Sequence, residues 1–180
     1  MNTLKVYKKY SDVKNIEFAT RDSACFDISA YIPYQQSVKA FTTTNDEVEK
    51  LAIQEQNTEC FIELPPQWRA LIPTGLILDI PTSYCVKIYA RSGLSTKKGL
   101  NLINSTGIID SDYIQELFIP IFNNSQQKLR ISNGDRIAQG KVEVLIRHKV
   151  EYINERPERK SDRNGGFGST GVEGMSPVVF

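Results

Sequence analysis

Short apolar runs with a period of two constrain this chain more than any other feature. Phe26, Ile28 and Ala30 alternate with polar or small residues, as do Tyr84, Val86, Ile88 and Ala90. Val142, Val144 and Ile146 alternate with Glu143, Leu145 and Arg147. Successive side chains of an extended strand point to opposite faces, so this alternation predicts half-buried strands. Leu117, Ile119 and Ile121 alternate with Phe118, Pro120 and Phe122, which predicts a strand buried on both faces. Asn123-Asn124-Ser125 and Asn133-Gly134-Asp135 supply turns. Many short strands without alternating helices predict an all-β antiparallel sandwich, jelly roll or barrel.

Two segments depart from this pattern. Within Asn45–Glu55, Val48, Leu51 and Ala52 fall at i, i+3 and i+4, behind a capping Asn45 and the acids Asp46 and Glu47. That spacing predicts an amphipathic helix of about three turns, with a polar loop as the alternative. No glycine precedes Gly75, yet five of the 11 fall between Gly165 and Gly174. Glycine brings no side chain to a core and loses the most backbone entropy on ordering, so this tail reads as a flexible arm or linker. The expected organisation is a domain over residues 1–160, with Lys141–Arg163 as a final strand passing into an arm, and the arm itself over 161–180.

Charge and cysteine content narrow the function. Lys plus Arg is 22 against 21 for Asp plus Glu, a near-balance that argues against a dedicated nucleic-acid binder. No apolar run approaches the ~20 residues of a membrane span. MNTLKVYKKY has no apolar stretch before a cleavage site, so a cytoplasmic protein is expected. Cys25, Cys60 and Cys85 are odd in number and form no CxxC pair, which fits a reducing compartment. The single histidine, His148, sits between Arg147 and Lys149 and reads as a solvated surface residue rather than a catalytic base.

Five short segments carry the chemistry. Ala24–Ala30 places Asp27 inside an apolar strand, either as a functional carboxylate or as a strand-end cap. Ala90–Gly99 ends a strand and opens a turn or helix at Ser92-Gly93, where amide N–H groups, a hydroxyl and the cation of Arg91 suit phosphate oxygens. Gly107–Tyr113 sets Asp110 and Asp112 beside Tyr113 at a hairpin bend, able to orient a water or simply to satisfy a turn. Gly134–Gln139 feeds a turn into a strand carrying Gln139. Arg163–Gly171 joins an arginine and Phe167 within glycines, without the spacing of a phosphate loop.

In order and character, ACFDISA, ARSGLSTKKG, GIIDSDY, GDRIAQ and RNGGFGSTG resemble the five motifs of the homotrimeric dUTPases, over about Phe18 to Gly171. The resemblance implies a jelly-roll-like, distorted β-barrel subunit with a short helix and a C-terminal arm that closes over the site. It implies Asp110 as the residue that activates the attacking water. Phosphates would be bound by Arg91, Ser92, Gly93, Gln139, Arg163, Ser169 and Thr170. Uracil and deoxyribose would be bound by Asn104, Gly107, Ile108, Ile109, Tyr113, Phe118 and Phe167, with Asp27 and Asp112 in supporting positions. The family's Mg²⁺ is held mainly by the triphosphate and waters, so no direct protein ligand is expected. Partners implied are the substrate dUTP and two further copies of the chain, in a homotrimer with shared sites, and neither nucleic acid nor membrane.

This sequence departs from the family pattern at Cys25, where a glycine is usual, at Ala90 in place of proline, and at Ile114-Gln115 after the tyrosine. Arg163 stands one residue closer to Gly165-Gly166-Phe167 than is common. A surplus over Thr42–Glu59 reads as a surface insertion and a possible contact for a protein partner. The implied reaction is Mg²⁺-dependent hydrolysis of dUTP to dUMP and pyrophosphate, which keeps uracil out of DNA and supplies dUMP for thymidylate synthesis. The alternatives are a dCTP deaminase-like enzyme of the same fold, whose catalytic glutamate would fall at Pro120, and a regulator-binding protein that kept the fold.

Overall fold

The structure, a computed structural model, describes residues 3–54 and 59–162. Fourteen strands and one helix follow in chain order: β1 Lys5–Lys8, β2 Glu17–Phe18, β3 Phe26–Ser29, β4 Ser37–Phe41, β5 Glu47–Leu51, β6 Phe61–Leu64, β7 Arg69–Pro73, β8 Leu76–Asp79, β9 Tyr84–Tyr89, α1 Ser92–Lys98, β10 Leu100–Leu102, β11 Thr106–Ile109, β12 Phe118–Asn123, β13 Leu129–Ser132 and β14 Arg136–Val144. Two five-stranded sheets, ordered β10-β12-β7-β4-β5 and β11-β9-β14-β3-β2, carry the architecture, with the pairs β1-β8 and β13-β6 beside them. The sheets end in free edge strands, so the jelly-roll-like fold does not close into a barrel.

The alternating residues meet in one core. Phe26 and Ile28 of β3, Val86 and Ile88 of β9 and Ala138 of β14 come from one large sheet. Val38 and Ala40 of β4, Ala70 and Ile72 of β7 and Ile119 and Ile121 of β12 come from the other. Thr74 and Asn123 are the buried polar residues among the described ones, and the Asn123 amide donates to the carbonyls of Leu64 and Gln127 at 2.9 and 2.8 Å while its Oδ1 accepts from Ser125. A buried amide with these partners costs little and fixes the turn that follows β12.

Three expectations are corrected. The helix expected over Asn45–Glu55 does not form, because β5 pairs with the edge of β4 from Ser37↔Leu51 to Phe41↔Glu47. The only helix among the described residues is α1. β12 is buried on one face, since Phe118 is 43% exposed while Ile119 and Ile121 are buried. The final strand ends at Val144, not near Arg163. The chain divides into two compact units, Met1–Ile146 and Arg147–Phe180. The described residues of the second, 147–162, contain neither strand nor helix.

Candidate active site

Alternation on β3 sends Phe26 and Ile28 into the core and leaves Asp27 on the opposite face. Antiparallel register then sets Glu17, Asp27, Gln139, Tyr89 and Thr106 in one row across five strands. Arg91 follows β9 as the N-cap of α1, in extended backbone conformation. Its Nε lies 3.0 Å from Asp27 Oδ1, and its Nη1 donates to the Arg136 carbonyl at 2.9 Å. The other oxygen of Asp27 takes Arg136 Nη1 at 2.9 Å. Gln139 Nε2 donates to the Ala90 carbonyl at 2.9 Å, tying β14 to the turn that carries Arg91. A Cβ built at Gly93 would meet nothing within 4 Å, so the first turn of α1 opens onto space.

Asp27, Arg91 and Gln139 line a pocket of about 400 Å³ with Ser23, Cys25, Ser92 and Gly93, while Arg136 holds Asp27 from outside this lining. No side chain caps α1 and its first turn holds no acid, whereas Lys97 and Lys98 occupy its last turn. The start of α1 thus sets the Ser92 hydroxyl beside the Arg91 guanidinium on this pocket. Such a set recognises phosphate oxygens.

Arg136 is not among the residues that the sequence singles out. Arg136 and Gln139 are three apart, and in a regular strand they would face opposite sides. A register shift between Arg136 and Ala138 puts Arg136 opposite Ser29 and Gln139 opposite Asp27, so both side chains share one face. The turn Gly134-Asp135 ahead of it is the one available signal.

A second, smaller pocket of about 140 Å³ lies under the segment joining β10 to β11. β10 pairs with β12 in one large sheet and β11 with β9 in the other, so this turn crosses between sheets. Asn104, Gly107, Ile108, Ile109 and Phe118 line the pocket with Ile88, Leu102 and Pro120. A Cβ at Gly107 would stand 3.2 Å from Ile88 Cβ and 3.5 Å from Asn104 Nδ2, so glycine keeps this pocket open.

Asp110, Asp112 and Tyr113 follow β11 on an exposed loop. The Tyr113 amide donates to the Asp110 carbonyl at 3.2 Å, and its phenol donates to the Glu116 carbonyl at 3.0 Å. Glu116 in turn accepts from the Gly75 amide at 2.9 Å and pairs with Lys9 at 2.6 Å. That contact holds the Lys9 ammonium above its ordinary value, chiefly through the hydrogen bond to Glu116.

The two groups of residues are not brought together within one chain. Gln139 and Thr106 share a row two strand spacings wide, and Asp110 lies four residues beyond Thr106. At about 4.8 Å between strands and about 3.4 Å per residue, Asp110 stands roughly 16 Å from Gln139. Arg163, Phe167, Ser169 and Thr170 lie outside the described residues.

A model of the dUTPase family matches residues 57–171. The chain belongs to the dUTPase family. The deoxyuridine 5′-triphosphate nucleotidohydrolase of Finegoldia magna is 48% identical over 118 residues, covering 63% of this chain and 79% of the relative. The protein of the same name from Brucella melitensis is 45% identical over 111 residues, covering 62% of this chain and 70% of the relative. Among solved structures, the dUTPase of Staphylococcus bacteriophage 80alpha with dUPNHPP matches 96% of this chain and 100% of that one, at a TM-score of 0.72 and 23% identity. A point mutant of the dUTPase from phage phi11 of S. aureus, described with a structural Mg(II) ion, matches 87% of this chain and 100% of that one, at a TM-score of 0.65 and 21% identity. These structural likenesses concern the dUTPase fold. The family model includes Arg91, Asp110, Tyr113 and Gln139 and begins after Asp27.

Proposed function

We propose that the protein hydrolyses dUTP to dUMP and pyrophosphate. The observation that carries this reading is the pocket lined by Asp27, Arg91, Ser92 and Gln139, set in the same chain as a small pocket under the β10–β11 segment that leads into Asp110. The family match and the names of the relatives supply the substrate. Arg91, Ser92, Gly93 and Gln139 hold the phosphates. The β10–β11 turn reads uracil by hydrogen bonds that cytosine would leave unpaired, a mismatch able to discriminate by about 10⁴. Tyr113 packs on the deoxyribose, while Arg163, Ser169, Thr170 and Phe167 of the arm complete the site.

Water attacks phosphorus, the anhydride between the α- and β-phosphates breaks, pyrophosphate leaves, and Asp110 takes the proton of the water. This chemistry depends on positioning and charge neutralisation more than on covalent help. Asp110 as general base supplies about 10²–10⁴ of the rate. The pocket offers hydroxyls, an amide and the Arg91 guanidinium, and its one carboxylate is already paired with Arg91 and Arg136. That donor set fits a Mg²⁺ carried in by the triphosphate with its waters. Bound Mg²⁺ supplies further neutralisation of phosphate charge.

Asp110 and a phosphate held by Arg91 must act on one phosphorus, and roughly 16 Å separates Asp110 from Gln139 across and along the sheet. Sites shared between copies remove that separation, and a closed homotrimer with three equivalent sites is the proposed assembly. No described helix is long and apolar enough to cross a membrane, and a cytoplasmic nucleotide pool is the proposed setting. There the reaction keeps uracil out of DNA and supplies dUMP for thymidylate synthesis.

The test is product analysis with dUTP, dCTP, dTTP and UTP in the presence of Mg²⁺. Pyrophosphate and dUMP from dUTP alone are expected. Ammonia released from dCTP would replace this reading with that of a deaminase.

A further inference from the structure

We infer that Glu116 is a positioning residue for the loop of Asp110 and Tyr113, which it holds from Lys9 and from the turn between β7 and β8. The inference rests on the reading of Asp110 as the base. Asp110 follows β11 and Leu117 precedes β12, so the segment between them leaves one sheet and enters the other. Its entry into β12 is fixed at Leu117. That residue is 2% exposed, its amide donates to the Leu76 carbonyl at 2.8 Å, and its carbonyl accepts from the buried Thr74 hydroxyl at 2.7 Å. β12 therefore finds its place without the Glu116 carboxylate.

The carboxylate adds a hold on the loop ahead of it. One oxygen accepts from the Gly75 amide at 2.9 Å, and the other pairs with Lys9 at 2.6 Å. Both anchors stand on fixed backbone. The Lys9 amide donates to the Gly75 carbonyl at 2.9 Å, and Gly75 has a φ of 68°, where a Cβ would come within 2.5 Å of Val13 Cγ2. The Glu116 side chain is 12% exposed against 36% for Lys9, so the pair is shielded on the carboxylate side. From Glu116 the contacts run back along the loop. Its carbonyl takes the Tyr113 phenol at 3.0 Å, and the Tyr113 amide donates to the Asp110 carbonyl at 3.2 Å. Asp110 is thus held by β11 on one side and, through Tyr113, by Glu116 on the other. A general base has to stand within hydrogen-bond reach of its water, and a displacement of about 1 Å can cost about 100-fold in rate. Glu116 acts only through Tyr113 and Asp110 and touches no reacting atom.

The experiment compares variants of the assembled protein in two backgrounds. Glu116→Ala and Lys9→Met are made in wild type and in Asp110→Asn, and kcat, KM for dUTP and the unfolding midpoint are measured for each. In wild type, Glu116→Ala is expected to lower kcat about tenfold. Lys9→Met leaves the Gly75 hydrogen bond in place and is expected to lower kcat about threefold. Glu116→Gln keeps the acceptor for Gly75 and is expected to restore kcat to the level of Lys9→Met. In Asp110→Asn both factors in kcat are expected to shrink to within about twofold, because the group being positioned no longer works as a base. Changes in KM, which follow Tyr113 rather than Asp110, are expected to be the same in both backgrounds.

Losses in kcat by one factor in both backgrounds overturn the inference and leave Glu116 a structural contact. A folded Glu116→Ala protein with the kcat of wild type overturns it as well. If Glu116→Ala does not fold, Lys9→Met decides by the same comparison. An Asp110→Asn protein with the kcat of wild type refutes the reading of Asp110 as the base, and the inference with it, whereas a failure confined to Glu116 and Lys9 leaves that reading standing.

Discussion

Tyr31 is a buried phenol whose hydroxyl donates to Asp12 at 3.0 Å and whose ring stacks on Tyr10 at 5.1 Å. Burial first, and then the hydrogen bond and charge of Asp12, push its pKa up to about 12. In the unfolded chain the phenol titrates near 10, so the folded state keeps this proton longer. The stabilisation is complete below about pH 10 and is lost as pH rises from about 10 towards 12. A shift of two units corresponds to about 2–3 kcal/mol at most. Denaturant titrations at pH 8, 10 and 11 should show wild-type stability falling more steeply over this range than that of Tyr31→Phe. Equal slopes would mean that Tyr31 titrates normally. Gly140 presents a different constraint, because a Cβ there would lie 2.5 and 2.6 Å from the Phe26 ring. Gly140→Ala should cost about 1–3 kcal/mol through overpacking, seen as a lower unfolding midpoint, while an unchanged midpoint would show that the ring moves aside freely. Neither constraint was visible in the sequence, since each depends on which strand lies opposite. Asp27 and Gln139 were visible because each interrupts an apolar alternation, and Arg136 was not, because a register shift rather than strand period turns it to their face.

The β4–β5 hairpin shows how an element is misread. Val48, Leu51 and Ala52 carry a helical spacing, but three apolar residues define a period poorly. The better signal was Thr42-Thr43-Thr44-Asn45-Asp46. In the structure Thr42 Oγ1 accepts from the Thr44 and Asp46 amides, each at 3.2 Å, and Asn45 adopts a positive φ of 69°. These are turn residues acting through side chain-to-backbone bonds, and they return the chain along β4. The strand and the helix make opposite forecasts for two neighbours. On a helix Leu51 and Ala52 share the apolar face, whereas in the structure Leu51 is 57% exposed and Ala52 is 1% exposed. Ala52→Asp should destabilise the protein by about 3 kcal/mol or more, as an unpaired charge buried in the core does. Leu51→Asp should stay within about 0.5 kcal/mol. Thermal unfolding of both variants decides, and equal large losses would favour the helix. The alternations of β3 and β9 were legible, whereas Val142, Val144 and Ile146, expected to be half-buried, are 37%, 64% and 76% exposed and Ile146 falls beyond β14. The face of β12 was not legible either, because Phe118, Pro120 and Phe122 are apolar whether or not anything covers them.

In the whole molecule, the proposed function assigns one chain two parts of a site that it does not itself join. Asp27, Arg91 and Gln139 gather where β3, β14 and the start of α1 meet, and the Asp110 loop leaves the sheet beyond Ile109, roughly 16 Å from Gln139. A sequence lists both sets in order and says nothing of that gap, because strand register creates it. If copies complete one another's sites, two inactive proteins should restore activity when mixed. Asp110→Asn keeps the phosphate pocket and loses the base, so alone it should bind dUTP with kcat reduced at least about 100-fold. Arg91→Gln keeps Asp110 and loses the central guanidinium, so alone it should bind dUTP weakly. Refolded together in equal amounts, they form trimers in which a given site draws its pocket from an Asp110→Asn chain with a chance of a half. The same site draws its base from an Arg91→Gln chain with a chance of a half. Random assortment therefore makes about one site in four intact, and the mixture should show about a quarter of wild-type activity. Scattering should give a mass near three chains for both variants and for the mixture. Sites contained within one chain predict no recovery at all, so a mixture that is folded, trimeric and inactive would refute the shared arrangement.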